Sequence, residues 1–226
     1  MELTRADGVA CSKHGREKPR QNFIEKITPM SEVDWQARYE AADTPWDKGV
    51  PHPMVERWAK KHPIDGAIIV PGCGRGWDLR AWAMAYPQHP VIGIDLAPAA
   101  VASARELCRD LPNVIVHETD FFSLDSWYRQ ERISLIWEHT CFCAIPPSLR
   151  ETYVTTVAKL LPSGAHLIGA FFTDIQDRDS GPPWNTPMTE IEEHFSPWFV
   201  VTEPKMDHAT FAGRWGEERS LVMCRR

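Results

Sequence analysis

A glycine-rich turn, "VPGCGRGWD" at residues 70–78, is the part of this sequence that most clearly predicts chemistry. It follows an apolar run typical of a buried strand, and Gly72, Gly74 and Gly76 alternate through it. Glycine turns between a strand and a helix let backbone N–H groups approach a ligand, as they do in sites for adenosine-containing cofactors. The turn therefore predicts a cofactor site, and its neighbours must indicate which cofactor.

The residues after the turn favour S-adenosylmethionine over a dinucleotide. The dinucleotide fingerprint G-x-G-x-x-G needs its third glycine for close helix packing. Counted from Gly72 that position is Trp77, and counted from Gly74 it is Leu79. Asp78, near the helix start, would repel a diphosphate but suits the ammonium group of a methionine moiety. We therefore expect S-adenosylmethionine as the cofactor.

Acidic residues also end the next two apolar runs, "VIGIDL" and "HETDFF". Asp95 can accept hydrogen bonds from both hydroxyls of a ribose, and Leu96 follows it. Asp120 can accept one from an adenine amino group, while Phe121 offers a backbone N–H and an aromatic face. NAD sites also use an acidic residue like Asp95, so Asp95 alone indicates only an adenosine ligand. Turn glycines and helix-capping aspartates are the ordinary alternative.

The strand and helix patterns that must position these residues alternate regularly. This predicts a Rossmann-like α/β fold with a mostly parallel seven-stranded sheet, helices on both faces and a C-terminal antiparallel hairpin. The predicted strands are Ala67–Val70, Val91–Ile94, Val114–His117, Ile133–Trp137, His166–Phe172, Phe199–Met206 and Arg219–Cys224. The predicted helices are one capped by Ser31 that runs to Tyr39, then Pro53–Lys61, Asp78–Tyr86, Ala97–Arg109, Pro147–Leu161 and Met188–Phe195.

Composition narrows the setting of the protein. A formal net charge of −6 without a basic face argues against a nucleic-acid partner. No apolar run is long enough to span a bilayer, so we expect a cytoplasmic protein without a membrane partner. The six cysteines show no zinc-ligand spacing, and we expect no metal. Residues 1–29 lack periodicity and predict a flexible leader ahead of one domain, residues 30–226.

Several stretches together resemble the thiopurine methyltransferase superfamily of class I S-adenosylmethionine-dependent methyltransferases, which includes plant-type thiol and halide methyltransferases. They are "TPWD" ahead of "VPGCGRG", then "VIGIDLAPAAV", "TDFF" and "HTCFCAIPPSLR", followed by "GPP" and "RWGEE". The resemblance implies that Trp35, Tyr39 and Trp46 close over the cofactor as a lid formed by residues 30–62. It also implies cofactor contacts by the turn glycines and by the residues that the strand ends already indicate, Asp95, Leu96, Asp120 and Phe121.

The segment after the fourth strand departs from the family. There the family commonly has Asp-Tyr, whereas this chain has Glu138-His139. The resemblance places His139 at the cofactor and the acceptor, and Arg214 beside the acceptor pocket. His139 could take a proton from a thiol, or it could only hydrogen-bond to a neighbouring group. Arg214 could raise the thiolate population or steer an anion, or it could be a solvated turn residue.

The expected function is methyl transfer from S-adenosylmethionine to a small soft nucleophile, a thiol or hydrosulfide, with halide as a further acceptor. The expected enzyme works as a monomer. A thiopurine or other heteroaromatic thiol is the alternative acceptor within the same chemistry. A dinucleotide-dependent oxidoreductase and a non-catalytic cofactor-binding module are more distant alternatives.

Overall fold

Strands and helices alternate along the chain in the order that the sequence predicts. The computed structural model describes residues 33–59, 61–126, 132–173, 175, 181–201, 210–214 and 217–226. The expected leader, residues 1–29, lies outside the described residues. The strands are β1 Ala67–Pro71, β2 Val91–Asp95, β3 Val114–Glu118, β4 Ile133–His139, β5 His166–Phe172, β6 Phe199–Val201 and β7 Glu218–Arg225. The α-helices are α1 Trp35–Glu40, α2 Pro53–Ala59, α3 Trp77–Ala85, α4 Pro98–Leu107, α5 Arg150–Leu160 and α6 Met188–Phe195.

The sheet has seven strands in the order β3-β2-β1-β4-β5-β7-β6. Strands β1 to β5 pair in parallel, whereas β7 is antiparallel to both β5 and β6. The predicted fold and the closing antiparallel pair are therefore confirmed. The chain order reverses between β1 and β4, and open α/β sheets bind ligands beside the carboxyl ends of the strands at such a point.

Successive residues of the central strand serve the two faces of the sheet. In β1, Ala67 and Ile69 belong to one buried apolar cluster, and Ile68 and Val70 belong to another. This follows because neighbouring strand residues point to opposite faces, and helices cover both. Among the described residues, no helix is long and apolar enough to cross a membrane.

One predicted boundary differs at the start of the domain, and another, near the C-terminus, lies partly outside the described residues. Helix α1 begins at Trp35, not after Ser31, because the Asp34 carboxylate caps it by accepting a bond of 2.9 Å from the N–H of Ala37. Ser31 itself lies outside the described residues. The strand expected at residues 199–206 is described only as far as Val201.

Candidate active site

The glycine turn has the backbone that only glycine adopts at low cost. Gly72, Gly74 and Gly76 have φ values of +56°, +54° and +90°. A Cβ on Gly74 would lie 3.0 Å from the hydroxyl oxygen of Tyr39, and one on Gly76 would lie 3.0 Å from Ala104 in α4. Gly76 therefore permits α4 to pack closely against the turn, and Gly74 leaves room beside the Tyr39 hydroxyl.

Asp95 ties this turn to the end of β2. Its carboxylate accepts hydrogen bonds from the N–H groups of Gly74, at 2.9 Å, and Ala97, at 3.0 Å. Burial raises the pKa of Asp95, although the backbone N–H groups that it accepts act in the opposite direction. Leu96 beside it is 49% exposed, which is unusual for a large apolar residue at a strand end. Both lie at the edge of the sheet where the sequence predicts the adenosine.

The end of β3 lies next to Asp95, because the Thr119 N–H donates to the Asp95 carbonyl at 3.1 Å. The Asp120 carboxylate accepts from the N–H of Phe122 at 2.9 Å and starts a 3₁₀ helix, Phe121–Ser126. The ring of Phe121 is buried, with its centroid 5.2 Å from that of Tyr153. The aromatic face that we expected Phe121 to offer is thus used in the core, which leaves its backbone as the group that can meet a ligand.

Trp35, Tyr39 and Trp46, the residues of the expected lid, form one cluster beside the turn. The ring centroids of Trp35 and Trp46 are 5.4 Å apart, and those of Tyr39 and Trp46 are 5.8 Å apart, both in edge-on arrangements. The indole N–H of Trp46 donates to the Tyr39 hydroxyl oxygen at 3.3 Å. Burial raises the pKa of Tyr39, so its hydroxyl stays protonated. The cluster also packs on the start of α4 at Ala97 and Ala100.

An ion pair joins the segment after α1 to the turn. Arg75 Nε lies 2.9 Å from a carboxylate oxygen of Asp47, and its guanidinium lies 5.5 Å from the centroid of the Tyr39 ring. The N-terminal segment is thus held against the glycine turn by a charged contact as well as by ring packing.

A cleft opens between this segment, the glycine turn and the end of β4. It is bordered on one side by aromatic rings and on the other by the polar residues that follow β4. Its lining includes Tyr39, Trp46, Gly72, Gly74, Trp77, Asp78, His139, Thr140 and Phe211.

His139, at the end of β4, has both ring nitrogens engaged. Nδ1 lies 2.7 Å from Asp78 Oδ2, and Nε2 lies 3.1 Å from Arg214 Nη1. A guanidinium can only donate, so Nε2 accepts and Nδ1–H donates to the carboxylate. The sequence left two roles open for His139, a base for a thiol or a hydrogen-bonding partner. This geometry matches the second role, because the Nε2 lone pair is already used by Arg214.

Asp78, which the sequence predicts to face the ammonium group of the cofactor, is hydrogen-bonded to other parts of the protein. Its carboxylate accepts from the N–H of His52 at 2.6 Å and from the indole N–H of Trp137 at 2.8 Å, in addition to His139. Three protein donors thus engage this carboxylate, which also borders the cleft, and its contact with the ammonium of the cofactor stays a prediction. Asp78 orients His139.

Arg214 is buried, which excludes the solvated turn residue as its description. It donates to Glu218 at 2.6 Å and to the carbonyl oxygen of Trp46 at 3.2 Å, so it connects the segment after α1 to the start of β7. Glu218 also accepts from His52 at 3.3 Å and from the Thr210 hydroxyl. Burial opposes the charge of Glu218, but these donors and the guanidinium outweigh it and lower its pKa to about 2.

The same cluster contains the atoms of a conceivable metal site. Ligand atoms of His52, His139 and Glu218 all lie within 4.8 Å of one another. However, the guanidinium of Arg214 bridges His139 and Glu218 at 3.1 and 2.6 Å. The cation of this cluster is thus an arginine, and the residues do not fit a metal ion.

Glu138, the other residue that departs from the family pattern, faces the protein interior. Its carboxylate accepts from the N–H groups of Cys141, at 2.9 Å, and Phe142, at 2.8 Å, and from the hydroxyl of Tyr153. Burial raises its pKa, although these donors act against that effect. Glu138 therefore shapes the segment that follows β4.

The sequence of this chain matches a known family over almost its whole length. A sequence model of the thiopurine S-methyltransferase family matches residues 30–223. The chain belongs to this family. A probable thiol methyltransferase 2 of Arabidopsis thaliana is 34% identical over 182 residues, which cover 79% of this chain and 78% of that protein. Thiocyanate methyltransferase 1 of Brassica oleracea is 31% identical over 204 residues, which cover 87% of each chain.

Solved structures support the fold. The 1,6-didemethyltoxoflavin-N1-methyltransferase of Burkholderia thailandensis, which was solved with bound S-adenosylhomocysteine, aligns with a TM-score of 0.64 and 16% identity over 84% of each chain. A TehB-like S-adenosylmethionine-dependent methyltransferase from Corynebacterium glutamicum aligns with a TM-score of 0.62 and 14% identity over 84% of this chain and 99% of that one.

This member of the family is therefore an S-adenosylmethionine-dependent methyltransferase, which excludes the oxidoreductase and the non-catalytic module as its description. The residues present fit the cofactor. The positive-φ glycine turn provides a cradle that side chains would fill, and Asp95 is a carboxylate at its edge. We expect these groups, with Leu96 and the strand end at Asp120, to hold the adenosine, and the aromatic cluster to shelter the sulfonium.

The charge of Asp78 should contribute to stability in a pH-dependent way. Burial alone would raise its pKa, but the interaction with His139 and the other N–H donors lowers it from 3.8 to about 2. This lowering corresponds to about 2 kcal/mol of folding free energy, present above pH ~4 and lost as the pH falls towards 2. We expect the difference in unfolding free energy between the wild type and Asp78→Asn to shrink from pH 6 to pH 2.5 in urea titrations. Asp43→Asn, at an exposed position, is the control, and a difference that stays constant with pH would contradict the assignment.

Proposed function

We propose that this enzyme methylates a small, soft nucleophile that arrives as an anion, a thiolate or hydrosulfide, with thiocyanate and halide as further acceptors. The names of its relatives, a probable thiol methyltransferase and a thiocyanate methyltransferase, support this class of acceptor. The observation that carries the proposal is the engagement of both nitrogens of His139 beside the buried Arg214.

The chemistry needs little from acid–base groups. When bound, S-adenosylmethionine supplies a methyl group on a cationic sulfur, which leaves as a neutral thioether and needs no proton. The acceptor forms its bond to carbon with a lone pair, so a thiol must first lose its proton. The chain contributes by orienting the acceptor and excluding water, which supplies most of the rate in such a displacement.

Among the residues of the cleft lining that the structure describes, none offers a free base for a neutral thiol. The Nε2 lone pair of His139 accepts from Arg214, and taking a proton there would bring two cations together. Asp78 accepts from three donors, and Asp47 is paired with Arg75. An acceptor that is already ionised needs no base in the cleft. The Arg214 guanidinium behind His139 is the group that we expect to attract it, against the negative charges of Glu218 and Asp78 in the same cluster.

The pH dependence of turnover tests this proposal. With a series of thiols of different acidity, we expect kcat/KM to rise with the thiolate fraction of each free thiol, so that the inflection shifts with the acceptor. With iodide, which has no proton to lose, we expect no such inflection between pH 6 and pH 9. An inflection at one fixed pH for all thiols, absent with iodide and removed in His139→Gln, would instead show that His139 is a base.

A heteroaromatic thiol is the second candidate acceptor, because Trp46, Trp77 and Phe211 border the cleft. The thiopurine S-methyltransferase of Xanthomonas campestris is 26% identical over 186 residues, 75% of this chain and 84% of that protein. An acceptor panel with labelled cofactor distinguishes a small anionic acceptor from a heteroaromatic thiol. The panel contains hydrosulfide, methanethiol, thiocyanate, iodide, an aryl thiol and a thiopurine. A kcat/KM for the thiopurine at least tenfold above that for each small anion would favour the second candidate.

We also propose that the enzyme works as a cytoplasmic monomer. One chain supplies the lid, the turn and the residues after β4, so the site needs no second copy. The five described cysteines are free thiols, as in proteins from reducing compartments. Analytical sedimentation at micromolar concentration tests whether the enzyme is a monomer. A sedimenting species of twice the chain mass, or a specific activity that changes with enzyme concentration, would contradict this proposal.

A further inference from the structure

Thr140 has a strained backbone at the end of the cleft. Its φ is +61°, in the left-handed region that β-branched residues rarely adopt. Among the described residues, Ala42 is the other non-glycine residue with a positive φ, +53°, and it follows the end of α1, where this conformation is common. Thr140 follows a strand instead, so helix termination does not explain its backbone.

The neighbouring residues hold Thr140 in this conformation. The Glu138 carboxylate accepts from the N–H groups of Cys141 and Phe142, the two residues after Thr140. The Cys143 thiol donates to the carbonyl oxygen of Thr140 at 3.4 Å. Contacts on both sides of Thr140 therefore hold its backbone in a conformation that a threonine side chain disfavours. Backbone strain of this kind is concentrated at functional sites.

The side chain of Thr140 is available to a ligand. Thr140 borders the cleft beside His139, and its hydroxyl makes no hydrogen bond to any other residue that the structure describes. The neighbouring polar groups are already bonded within the protein: His139 to Asp78 and Arg214, and Asp78 also to the N–H groups of His52 and Trp137. The Thr140 hydroxyl is thus a donor next to the region where an anion would meet the cofactor.

We propose that Thr140 donates a hydrogen bond from its hydroxyl to the anionic acceptor, and that its strained backbone places the hydroxyl for this contact. This inference rests on the proposed function and names a residue that selects the acceptor. It predicts that the hydroxyl contributes to acceptor recognition and not to cofactor binding.

Variants at this position separate the hydroxyl from the strain. Thr140→Val keeps the branched shape and removes the hydroxyl, and we expect kcat/KM for thiocyanate or hydrosulfide to fall by about ten- to a hundredfold. We expect the dissociation constant of S-adenosylmethionine, measured by calorimetry, to stay within twofold. Thr140→Ser keeps the hydroxyl and should retain at least a third of the wild-type kcat/KM.

The unfolding temperature tests the backbone strain at Thr140 separately from the hydroxyl. Thr140→Gly should raise the unfolding temperature, because glycine adopts this backbone freely, yet it should lose activity as the valine variant does. Gly164→Ala is the matched control, because it introduces a positive-φ alanine between α5 and β5, away from the cleft. It should lower the unfolding temperature and leave kcat/KM unchanged.

The outcomes distinguish this inference from the proposed function. If the wild type methylates no anion in the panel, both are overturned. If it does, but the valine variant keeps its kcat/KM within twofold or loses cofactor affinity in proportion to activity, Thr140 does not bind the acceptor and the proposed function still stands. A serine variant as inactive as the valine variant would likewise overturn the role of the hydroxyl.

Discussion

Asp95→Ala is expected to weaken the binding of S-adenosylmethionine by about a hundredfold or more. The carboxylate holds the glycine turn through the N–H of Gly74, and it is the group that we expect to accept from the ribose hydroxyls. Each hydrogen bond to a charged group is worth about 1.5–3 kcal/mol, so two lost bonds correspond to a change of this size. Calorimetric titration with S-adenosylmethionine and S-adenosylhomocysteine measures the effect.

Two further variants show whether the charge or the turn matters. Asp95→Asn keeps an oxygen for the Gly74 N–H but loses the charge, and it should show an intermediate dissociation constant. Asp65→Ala removes an aspartate that bonds to Ser134 near the starts of β1 and β4, away from the cleft, and should bind the cofactor as the wild type does. A dissociation constant for the alanine variant within threefold of the wild type, with a normal circular dichroism spectrum, would remove Asp95 from the cofactor site.

The parts of this enzyme that could be predicted from the sequence are those with short-range signals. Apolar runs between turn residues predict the strands, and the glycines from Gly72 to Gly76 predict the cofactor turn because their backbone requirement is local. Acidic residues at strand ends, such as Asp95, could be placed at one edge because parallel strands share their carboxyl ends. The fold and the cofactor follow from these signals.

The acceptor end of the site could not be predicted in this way. His52, Asp78 and His139 come from three separate segments, and their hydrogen bonds depend on the tertiary packing of α2, α3 and β4. We missed His52 as a member of the site, and its position between Pro51 and Pro53 was at most a weak signal of a fixed backbone. No feature of the sequence around Thr140 indicates its positive φ.

Arg214 should show the largest combined effect on stability and activity. It donates to Glu218, to His139 and to the carbonyl oxygen of Trp46. Arg214→Leu therefore removes one hydrogen bond each from a buried carboxylate, an imidazole and a backbone carbonyl. Loss of one partner of a buried ion pair costs about 3–5 kcal/mol, because the remaining charge has no counter-charge. Loss of the guanidinium behind the acceptor should also lower kcat/KM for anions by about a hundred- to a thousandfold.

A double variant separates the two effects. Arg214→Leu combined with Glu218→Leu removes both charges, so much of the lost unfolding free energy should return, as buried pairs often tolerate apolar replacement. Activity should not return, because the guanidinium behind His139 is still missing, whereas Arg214→Lys should keep part of it through its charge. Urea denaturation and initial rates with thiocyanate measure the two quantities. If activity recovers together with stability in the double variant, Arg214 serves only to hold the protein together, and the anion-binding end of the cleft must be sought elsewhere.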